Sequence, residues 1–441
     1  MDNNIIRKSI IKQRKNNDKA DKLWYKLDLS AVVYPTLQRR DFSSVYRLSA
    51  LMKKDVNPKV LQQALDETLK RFPSYKVAIR KGIFWRYLET NTRPGPFVKE
   101  DIKNPCMPMG FRTNNRYLIR LYYFGNRISF ESHHCLGDGN GGMVVFNTIL
   151  AQYLRLLGYS IPCEHLVKNI NENPNEEEWE DAYMKYANAE VRPSRPGDEA
   201  YLIYGTPEPF YTLNMTIGTV DVNEVLAYTK KRGVSVTEYI NALLLYALMK
   251  TQELEKPHKI KPLTLAMPVN LRRFFPSETL RNFITMVYPQ IDPRLGNYSF
   301  DEILSQVHYY MRYYINDKFL NGDITTNAHT KKHPLIRIVP LCIKDIVVKH
   351  FYKSVQDRSS TMGITNMGNL ITPAEMEEHI ERFDICMGQP YSRKTNCSVI
   401  SYKGIMSITF AGTIKETDTE RFFFQKMVKD GIHVKIETNR S

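Results

Sequence analysis

The sequence of 441 residues lacks any framework that cysteines could supply. Its six cysteines are scattered, and no two of them form the CxxC pair that is typical of zinc sites and redox motifs. They stand at Cys106, Cys135, Cys163, Cys342, Cys386 and Cys397. This spacing argues against a disulfide-stapled secreted domain.

Long apolar runs are also missing. No stretch reaches the roughly 18 residues that are needed to span a bilayer, and residues 1–22 lack the apolar centre of a signal peptide. No transmembrane segment is therefore expected, and the cytoplasm is the expected location. The histidines show no HExxH motif, and no P-loop or dinucleotide-binding fingerprint occurs. Neither a metal site nor a bound cofactor is predicted.

One stretch carries more chemistry than the rest of the chain, namely residues 133–139 with the sequence HHCLGDG. Before it, residues 127–132 alternate apolar and polar side chains, which predicts a strand that follows a turn at residues 125–126. After it, residues 143–157 repeat apolar side chains at helical spacing. The sequence therefore predicts a strand, a short glycine-rich loop and a helix, a junction that can hold reactive side chains at a sheet edge.

The residue types of this loop favour proton transfer. A histidine titrates near neutrality and can accept a proton from a hydroxyl or an amine. Adjacent side chains on an extended backbone point in opposite directions, so one of His133 and His134 is expected to be a base and the other a packing or orienting residue. Asp138 lies between two glycines, which indicates a tight backbone path that the carboxylate pins. Nucleophilic catalysis by Cys135 is the less favoured alternative, because a base already supplies a mechanism.

The pattern HHxxxDG between a strand and a helix resembles the signature of the acyltransferase superfamily that includes condensation domains and alcohol acetyltransferases. The resemblance extends over nearly the whole chain. It implies an α/β (α+β) fold of two chloramphenicol-acetyltransferase-like lobes, each a mostly antiparallel or mixed sheet with helices, and an active-site tunnel between the lobes. It also implies that His134 faces the reaction centre as the general base, that His133 and Gly139 have structural roles, and that Asp138 pairs with an arginine of the second lobe.

Later landmarks of the superfamily follow in order. Residues 263–269 are predicted to form a buried strand, which leads to Arg272 as the closest match to the arginine that pairs with Asp138, with Arg273 as the alternative. The resemblance implies that other residues line the tunnel or stabilise an oxyanion. These candidates are Asn282, Thr365, Asn366 and Gly368.

The length of the chain fits two lobes of about 200 residues each. Residues 1–22 are predicted to be a flexible basic segment. The acidic, proline-bearing stretch 169–199 is the best linker candidate. We therefore place a first lobe, which carries the motif, at residues 23–190 and a second lobe at residues 191–441.

Local patterns also predict individual elements of the two lobes. Residues 75–79, 84–88 and 117–124 are expected to be strands of one antiparallel sheet that leads to the motif. Single helices are expected at residues 299–320 and 373–382. A further helix is expected to begin at Asn57 as its cap with Pro58 at the first helical position, and a hairpin is expected around Lys403 and Gly404.

The formal net charge of +15 suits an anionic partner such as nucleic acid, a membrane surface or the phosphates of coenzyme A. Apart from the run in residues 12–22, the basic residues are dispersed, and no nucleic-acid-binding motif accompanies them. Nucleic acid is therefore not expected as a partner.

The resemblance implies that an acyl group, acetyl in the first instance, passes from an acyl-CoA donor to the hydroxyl or amine of a small acceptor. Three alternatives stay open. In the first, the donor is an acyl-carrier-protein thioester, as in condensation domains. In the second, the protein is a silent member that only binds acyl carriers, and in the third it is a nucleic-acid or membrane binder that depends on its charge.

Overall fold

The computed structural model describes residues 23–39, 42–101, 104–188, 199–209, 212–332, 338–352, 358–388 and 393–440. The predicted basic segment 1–22 and the predicted lobe boundary near residue 190 lie outside these residues and stay predictions. None of the helices in the described ranges is both long and apolar enough to cross a bilayer.

The first part of the chain alternates short helices with strands. Its elements are β1 Trp24–Lys26, α1 Tyr34–Leu37, β2 Val45–Met52, α2 Pro58–Arg71, β3 Val77–Lys81, β4 Arg86–Thr90, β5 Val98–Glu100, β6 Ile119–Phe124, β7 Arg127–His133, α3 Gly139–Leu156 and α4 Ala182–Tyr186.

The second part contains longer helices. Its elements are β8 Asn214–Asp221, α5 Val222–Lys231, α6 Val236–Glu255, β9 Leu263–Asn270, β10 Ile284–Val287, β11 Gln290–Ile291, α7 Phe300–Tyr314, α8 Asp317–Lys332, α9 Leu341–Phe351, β12 Met362–Asn369, α10 Ala374–Glu377, β13 Ile380–Met387, β14 Thr395–Tyr402, β15 Ile405–Gly412, α11 Asp418–Lys429 and β16 Lys435–Thr438.

The strands of the described ranges form three sheets, and two hydrophobic cores of the same ranges lie against them. The sheet that ends at the motif has the order β13-β2-β7-β6-β5, and a small antiparallel sheet has the order β1-β4-β3. The largest sheet has the order β10-β9-β12-β14-β15-β8-β16, with β11 beside β9, and β12 runs parallel to both of its neighbours. The predicted α/β class with antiparallel and mixed sheets is confirmed.

Local capping explains where the helices of the first core begin. The side chain of Asn57 accepts hydrogen bonds from the backbone N–H groups of Lys59 and Val60, and Pro58 occupies the first helical position of α2. Leu61 and other residues of the same stripe are fully buried against α3 and the sheet. The predicted helix at this asparagine is therefore observed with its cap.

The prediction of one antiparallel sheet for residues 75–79, 84–88 and 117–124 is wrong. Strands β3 and β4 pair with each other in the small sheet, whereas β6 pairs with β7 in the sheet of the motif. The tight turn between β3 and β4, where the N–H of Gly82 donates to the carbonyl of Trp85, makes them a hairpin of their own. Alternation predicts a strand but not its partner.

Two predicted helices also need correction. The helix expected at residues 299–320 is broken after Ile315, where the side chain of Asn316 caps α8 by accepting from the N–H of Phe319. The helix expected at residues 373–382 ends at Glu377, and β13 begins at Ile380. Strand β13 is drawn into the sheet of the motif by antiparallel pairing with β2, so tertiary contacts override the local helical pattern.

Candidate active site

The motif lies where β7 ends and α3 begins. Strand β7 finishes at His133, and the backbone N–H of His134 donates to the carbonyl of Ser44 at 2.8 Å, which continues the contact with the β2 side of the sheet. Helix α3 begins at Gly139, with Asp138 as its N-cap residue. The helix therefore starts earlier than the apolar repeat at 143–157 indicated, because the cap and the glycines form its first turn.

His133 is fully buried and faces away from His134. Its Nδ1 accepts from the N–H of Cys135 at 3.1 Å, and its Nε2 lies 3.0 Å from Oε1 of Gln38. Nε2 is therefore the nitrogen that carries the proton, because Nδ1 is already an acceptor. Burial, with the charges of His134 and Arg120, lowers the pKa of His133 to about 3. These contacts hold the ring of His133 in one orientation within the loop.

His134 is partly exposed, and two tyrosines flank its ring. Tyr34 stacks on it with ring centroids 4.9 Å apart, and Tyr46 lies at 4.8 Å in a tilted arrangement. The Nδ1 atom is buried, so Nε2 is the ring nitrogen that is left to meet a substrate. Burial lowers the pKa of His134 to about 4, against the opposing effects of the Asp138 charge, the Asn282 side chain and the Gly137 backbone. The imidazole is therefore neutral at pH 7 and able to accept a proton.

Asp138 joins the loop to the second lobe and is 2% exposed. Its Oδ1 accepts from the N–H of Gly141 at 3.0 Å. Its Oδ2 accepts from Nη1 of Arg272 at 2.8 Å and from the N–H of Phe283 at 2.9 Å. Arg272 is the arginine that makes this ion pair, whereas the guanidinium of Arg273 lies beside Gly368.

The remaining donors of Arg272 fix the backbone that faces the loop. Nε and Nη2 donate to the carbonyl of Thr279 at 3.1 and 2.9 Å, and Nη2 also donates to the carbonyl of Arg281 at 2.5 Å. One guanidinium thus ties the aspartate of the first lobe to a segment of the second lobe. The carboxylate of Asp138 and the carbonyl groups of Thr279 and Arg281 therefore all accept hydrogen bonds from this one charged group.

The glycines of the loop are required for space and not for backbone angle. Neither Gly137 nor Gly139 has a positive φ, and the tight backbone path predicted for them is observed as close packing. A Cβ atom at Gly137 would lie 2.2 Å from the carbonyl oxygen of Leu280, and one at Gly141 would lie 1.9 Å from the same atom. At Gly139 the nearest atom would be Sδ of Met367, at 3.1 Å. The second lobe therefore packs directly on the backbone of the loop.

Asn282, from the same segment as Phe283, also holds the loop and is 1% exposed. Its Nδ2 donates to the carbonyl of His134 at 2.9 Å and to Oδ2 of Asp28 at 3.0 Å. Burial raises the pKa of Asp28 to about 6, and the charge of Arg281 opposes this shift. The sequence reasoning missed Asp28, although a lone carboxylate within the apolar stretch 23–34 was a signal for a buried and partnered acid.

Strand β12 carries the other predicted residues. The Oδ1 of Asn366 accepts from the N–H of Gly368 at 2.8 Å, and its Nδ2 donates to Oγ1 of Thr237 at 3.1 Å. Gly368 has a φ of 74°, which few other residues adopt, and Thr365 is partly exposed. The Nδ2 group of Asn366 and the N–H of Gly368 are therefore already engaged within the second lobe. Met367 of the same strand reaches the loop at Gly139. A role in an oxyanion site or a tunnel stays a prediction.

Comparison with known proteins shows which solved structures share this fold. No protein-family model and no curated protein matches the sequence. Solved structures do match: TRI101 of F. graminearum in complex with coenzyme A and deoxynivalenol has a TM-score of 0.62 at 12% identity, over 93% of this chain and 99% of that chain. This chain has the fold of acetyltransferases and condensation domains.

Two further solved structures share this acyltransferase-like fold over most of the chain. Polyketide synthase associated protein 5 of Mycobacterium tuberculosis has a TM-score of 0.55 at 15% identity, over 92% of this chain and 97% of that chain. The starter condensation domain of rhizomide synthetase, in complex with C8-CoA and Leu-SNAC, has a TM-score of 0.56 at 11% identity, over 92% and 94% of the two chains.

Within this acyltransferase-like fold, Cys135 is poorly suited to act as a nucleophile. Its side chain is 1% exposed, and burial raises the pKa of its thiol far above the ordinary value. A thiol that stays protonated is a weak nucleophile. Among the described residues, no group of histidine, cysteine and carboxylate side chains is arranged to hold a metal ion.

Proposed function

We propose that this protein is an acyltransferase that moves a short acyl group, acetyl in the first instance, from a coenzyme A thioester to a hydroxyl or amine acceptor. The observation that carries this proposal is the state of His134, a neutral and partly exposed imidazole in a loop that both lobes hold. The fold supports it, since TRI101 has the same fold and is bound to coenzyme A. A cytoplasmic location belongs to the same proposal.

His134 acts as a general base through Nε2. The acceptor hydroxyl or amine gives its proton to Nε2 while its oxygen or nitrogen attacks the thioester carbonyl carbon. The tetrahedral intermediate then expels the coenzyme A thiolate, and the imidazolium returns the proton to the sulfur. One C–O or C–N bond forms and one C–S bond breaks. No acyl-enzyme is required, which agrees with the buried and protonated thiol of Cys135.

The other predicted residues support this base. Asp138 and Arg272 position the loop, and the charge of Asp138 favours the imidazolium that forms during the reaction. His133 and Gly139 are structural members of the loop. Asn282 positions His134 through its carbonyl. Thr365, Asn366 and Gly368 are proposed to line the tunnel, because their strand reaches the loop through the side chain of its neighbour Met367.

A carrier-protein thioester is the second candidate for the donor. The similarity to the starter condensation domain of rhizomide synthetase favours it. The chemistry at His134 is the same for both donors, because each presents an acyl thioester to the acceptor. The two candidates differ only in which thiol is released.

The test is thiol release from acetyl-CoA in the presence of a panel of alcohols and amines. We expect acceptor-dependent release that falls by about 10²- to 10⁴-fold in His134→Ala. The matched control is Cys135→Ser, the neighbouring residue, which should keep most of the activity. Acyl-carrier thioesters replace acetyl-CoA in a second series.

Each outcome of this test has one meaning. Release only from the carrier thioester selects the second candidate. Release that survives in His134→Ala removes the base from the mechanism. No release from any donor, together with binding of an acylated carrier, identifies a silent member that only binds carriers.

A further inference from the structure

Helix α9 is an amphipathic helix whose apolar side faces outward. None of its eleven residues is buried. Ile343, Ile346, Val347 and Phe351 are 50%, 69%, 60% and 56% exposed, and they recur at the spacing of one helical face. A surface helix of a soluble protein normally turns this face to the core. The inversion therefore requires an explanation.

Two polar residues of α9, Lys344 and Asp345, face the protein instead and hold the helix in place. Asp345 accepts two hydrogen bonds from the guanidinium of Arg86, at 2.7 and 2.6 Å, and one from Oγ1 of Thr36 at 2.9 Å. The Nζ of Lys344 donates to the carbonyl of Phe84 at 3.0 Å and lies 3.5 Å from the ring centroid of Trp85. These contacts fix which side of the helix is outward.

The outward face continues onto the turn between β3 and β4. Ile83 is 75% exposed, and its carbonyl accepts from the N–H at the start of α9. Basic side chains border the combined surface. Lys349 and His350 are exposed in the last turn of α9, and Lys81 is exposed at the end of β3, within electrostatic range of Asp345. An apolar centre with a basic border is the result.

We propose that this surface, formed by the outward face of α9 and the β3–β4 turn, docks on a bilayer that contains anionic lipid. A convex face of isoleucine, valine and phenylalanine with lysine at its border is typical of helices that lie in the membrane interface. The lysines and the net charge of +15 complement anionic headgroups.

The composition favours a membrane over a protein partner. Protein interfaces are enriched in aromatic residues, methionine and arginine and depleted in lysine, and valine is rare among their hot spots. The outward face has one aromatic residue, Phe351, and consists otherwise of isoleucine and valine with lysine at its border. A bilayer also needs no groove that is complementary to the helix, whereas a protein partner does.

A short series of contacts links this surface to the candidate active site. Thr36, which bonds to Asp345, lies on α1, and the same short helix carries Tyr34, which stacks on His134. A bilayer under α9 would therefore lie next to the element that covers the base. The docking itself is independent of acyl transfer, and its test uses binding alone.

Two native cysteines provide the probes. Cys342 is exposed on α9, and Cys163 is exposed after α3. Each is labelled with an environment-sensitive fluorophore, Cys342 in a Cys163→Ser background and Cys163 in a Cys342→Ser background. Vesicles of equimolar phosphatidylcholine and phosphatidylglycerol should shift the emission of the Cys342 probe to the blue and leave the Cys163 probe unchanged.

Sedimentation with the same vesicles tests the face itself. Ile346→Asp should lower the ratio of bound to free protein by about tenfold or more. The reason is that an isoleucine that the bilayer would bury is replaced by a charged side chain. The matched control is Leu295→Asp, at a leucine that is 80% exposed in another turn, and it should bind like the native protein. Lys349→Glu should weaken binding to the anionic vesicles and not to pure phosphatidylcholine.

Several results would overturn the proposal. An unchanged Cys342 probe with every vesicle is one, and an equal loss in Leu295→Asp is another. A blue shift that needs a second copy of the chain, seen as a dimer by light scattering, would assign the face to self-association. A shift caused only by an acyl carrier protein would assign it to that partner.

Discussion

Replacing Asp138 by asparagine removes one negative charge at the point where the second lobe meets the loop. The carboxylate accepts three hydrogen bonds, one on Oδ1 from Gly141 and two on Oδ2 from Arg272 and Phe283. An asparagine keeps one oxygen and presents an NH₂ group in place of the other. If this oxygen caps α3, the NH₂ group faces Nη1 of Arg272 and the N–H of Phe283, which are both donors, so neither hydrogen bond can form.

The size of the effect follows from this geometry. Breaking a buried ion pair by removing one partner costs about 3–5 kcal/mol, because the remaining charge is left unpaired. The side chain of Arg272 is 16% exposed, so water can take over part of its solvation. We therefore expect Asp138→Asn to lower the free energy of unfolding by about 3 kcal/mol. The charge of Asp138 also raises the pKa of His134, so its loss should lower that pKa further.

Denaturant unfolding and a pH–rate profile measure the two parts. Glu178→Gln is the matched control, since Glu178 forms an even more deeply buried pair with Arg71 at 2.6 Å and is not among the groups that shift the pKa of His134. Both variants should lose stability, but only Asp138→Asn should move the acid limb of the activity profile to lower pH. An unfolding free energy of Asp138→Asn within about 1 kcal/mol of the native value would refute the view that this pair locks the loop.

Two further predictions concern the same loop. The pKa values of His133 and His134 lie below the ordinary value of 6.5, so the unfolded chain binds more protons, and stability is lost as the pH falls from about 6.5 to about 4. In urea unfolding at a series of pH values, the free energy of unfolding should fall by about 1.4 kcal/mol per pH unit for each imidazole. This slope should be smaller in His134→Ala, and equal slopes in the two proteins would contradict a buried neutral ring at His134. Gly141→Ala should cost about 1–3 kcal/mol of stability in thermal unfolding, because its Cβ would overlap the carbonyl of Leu280. Gly139→Ala should cost less, since a flexible methionine can move aside, and the reverse order would be inconsistent with this packing.

Local signals predicted much of the fold. Asn57 and Pro58 marked the start of α2, and the turn at Lys403 and Gly404 marked the hairpin of β14 and β15, in which both residues have positive φ. Each of these elements depends on residues that are adjacent in sequence. The pairing of β13 with β2 does not, because it joins residues that lie more than 300 positions apart, and no local pattern carries that information.

The same distinction holds for the candidate site. The motif drew attention to His134 and Asp138, whose residue types carry their chemistry. It gave no indication of Leu280, which contributes a backbone carbonyl, and any side chain at that position would supply the same atom. Tyr34 and Tyr46 flank the base from two separate elements, and only the folded chain brings them to one ring.

The contacts on the loop also determine how substrates can reach the base. Arg272, Leu280 and Phe283 hold the loop through a charge, a close backbone approach and a backbone hydrogen bond. Separation of the lobes at this point would break all three together, and loss of the ion pair alone would cost about 3–5 kcal/mol. The other side of His134 is covered by Tyr34, whose short helix is held by the exposed helix α9. His134 is itself partly exposed, so a substrate can meet the base without separation of the lobes at the loop.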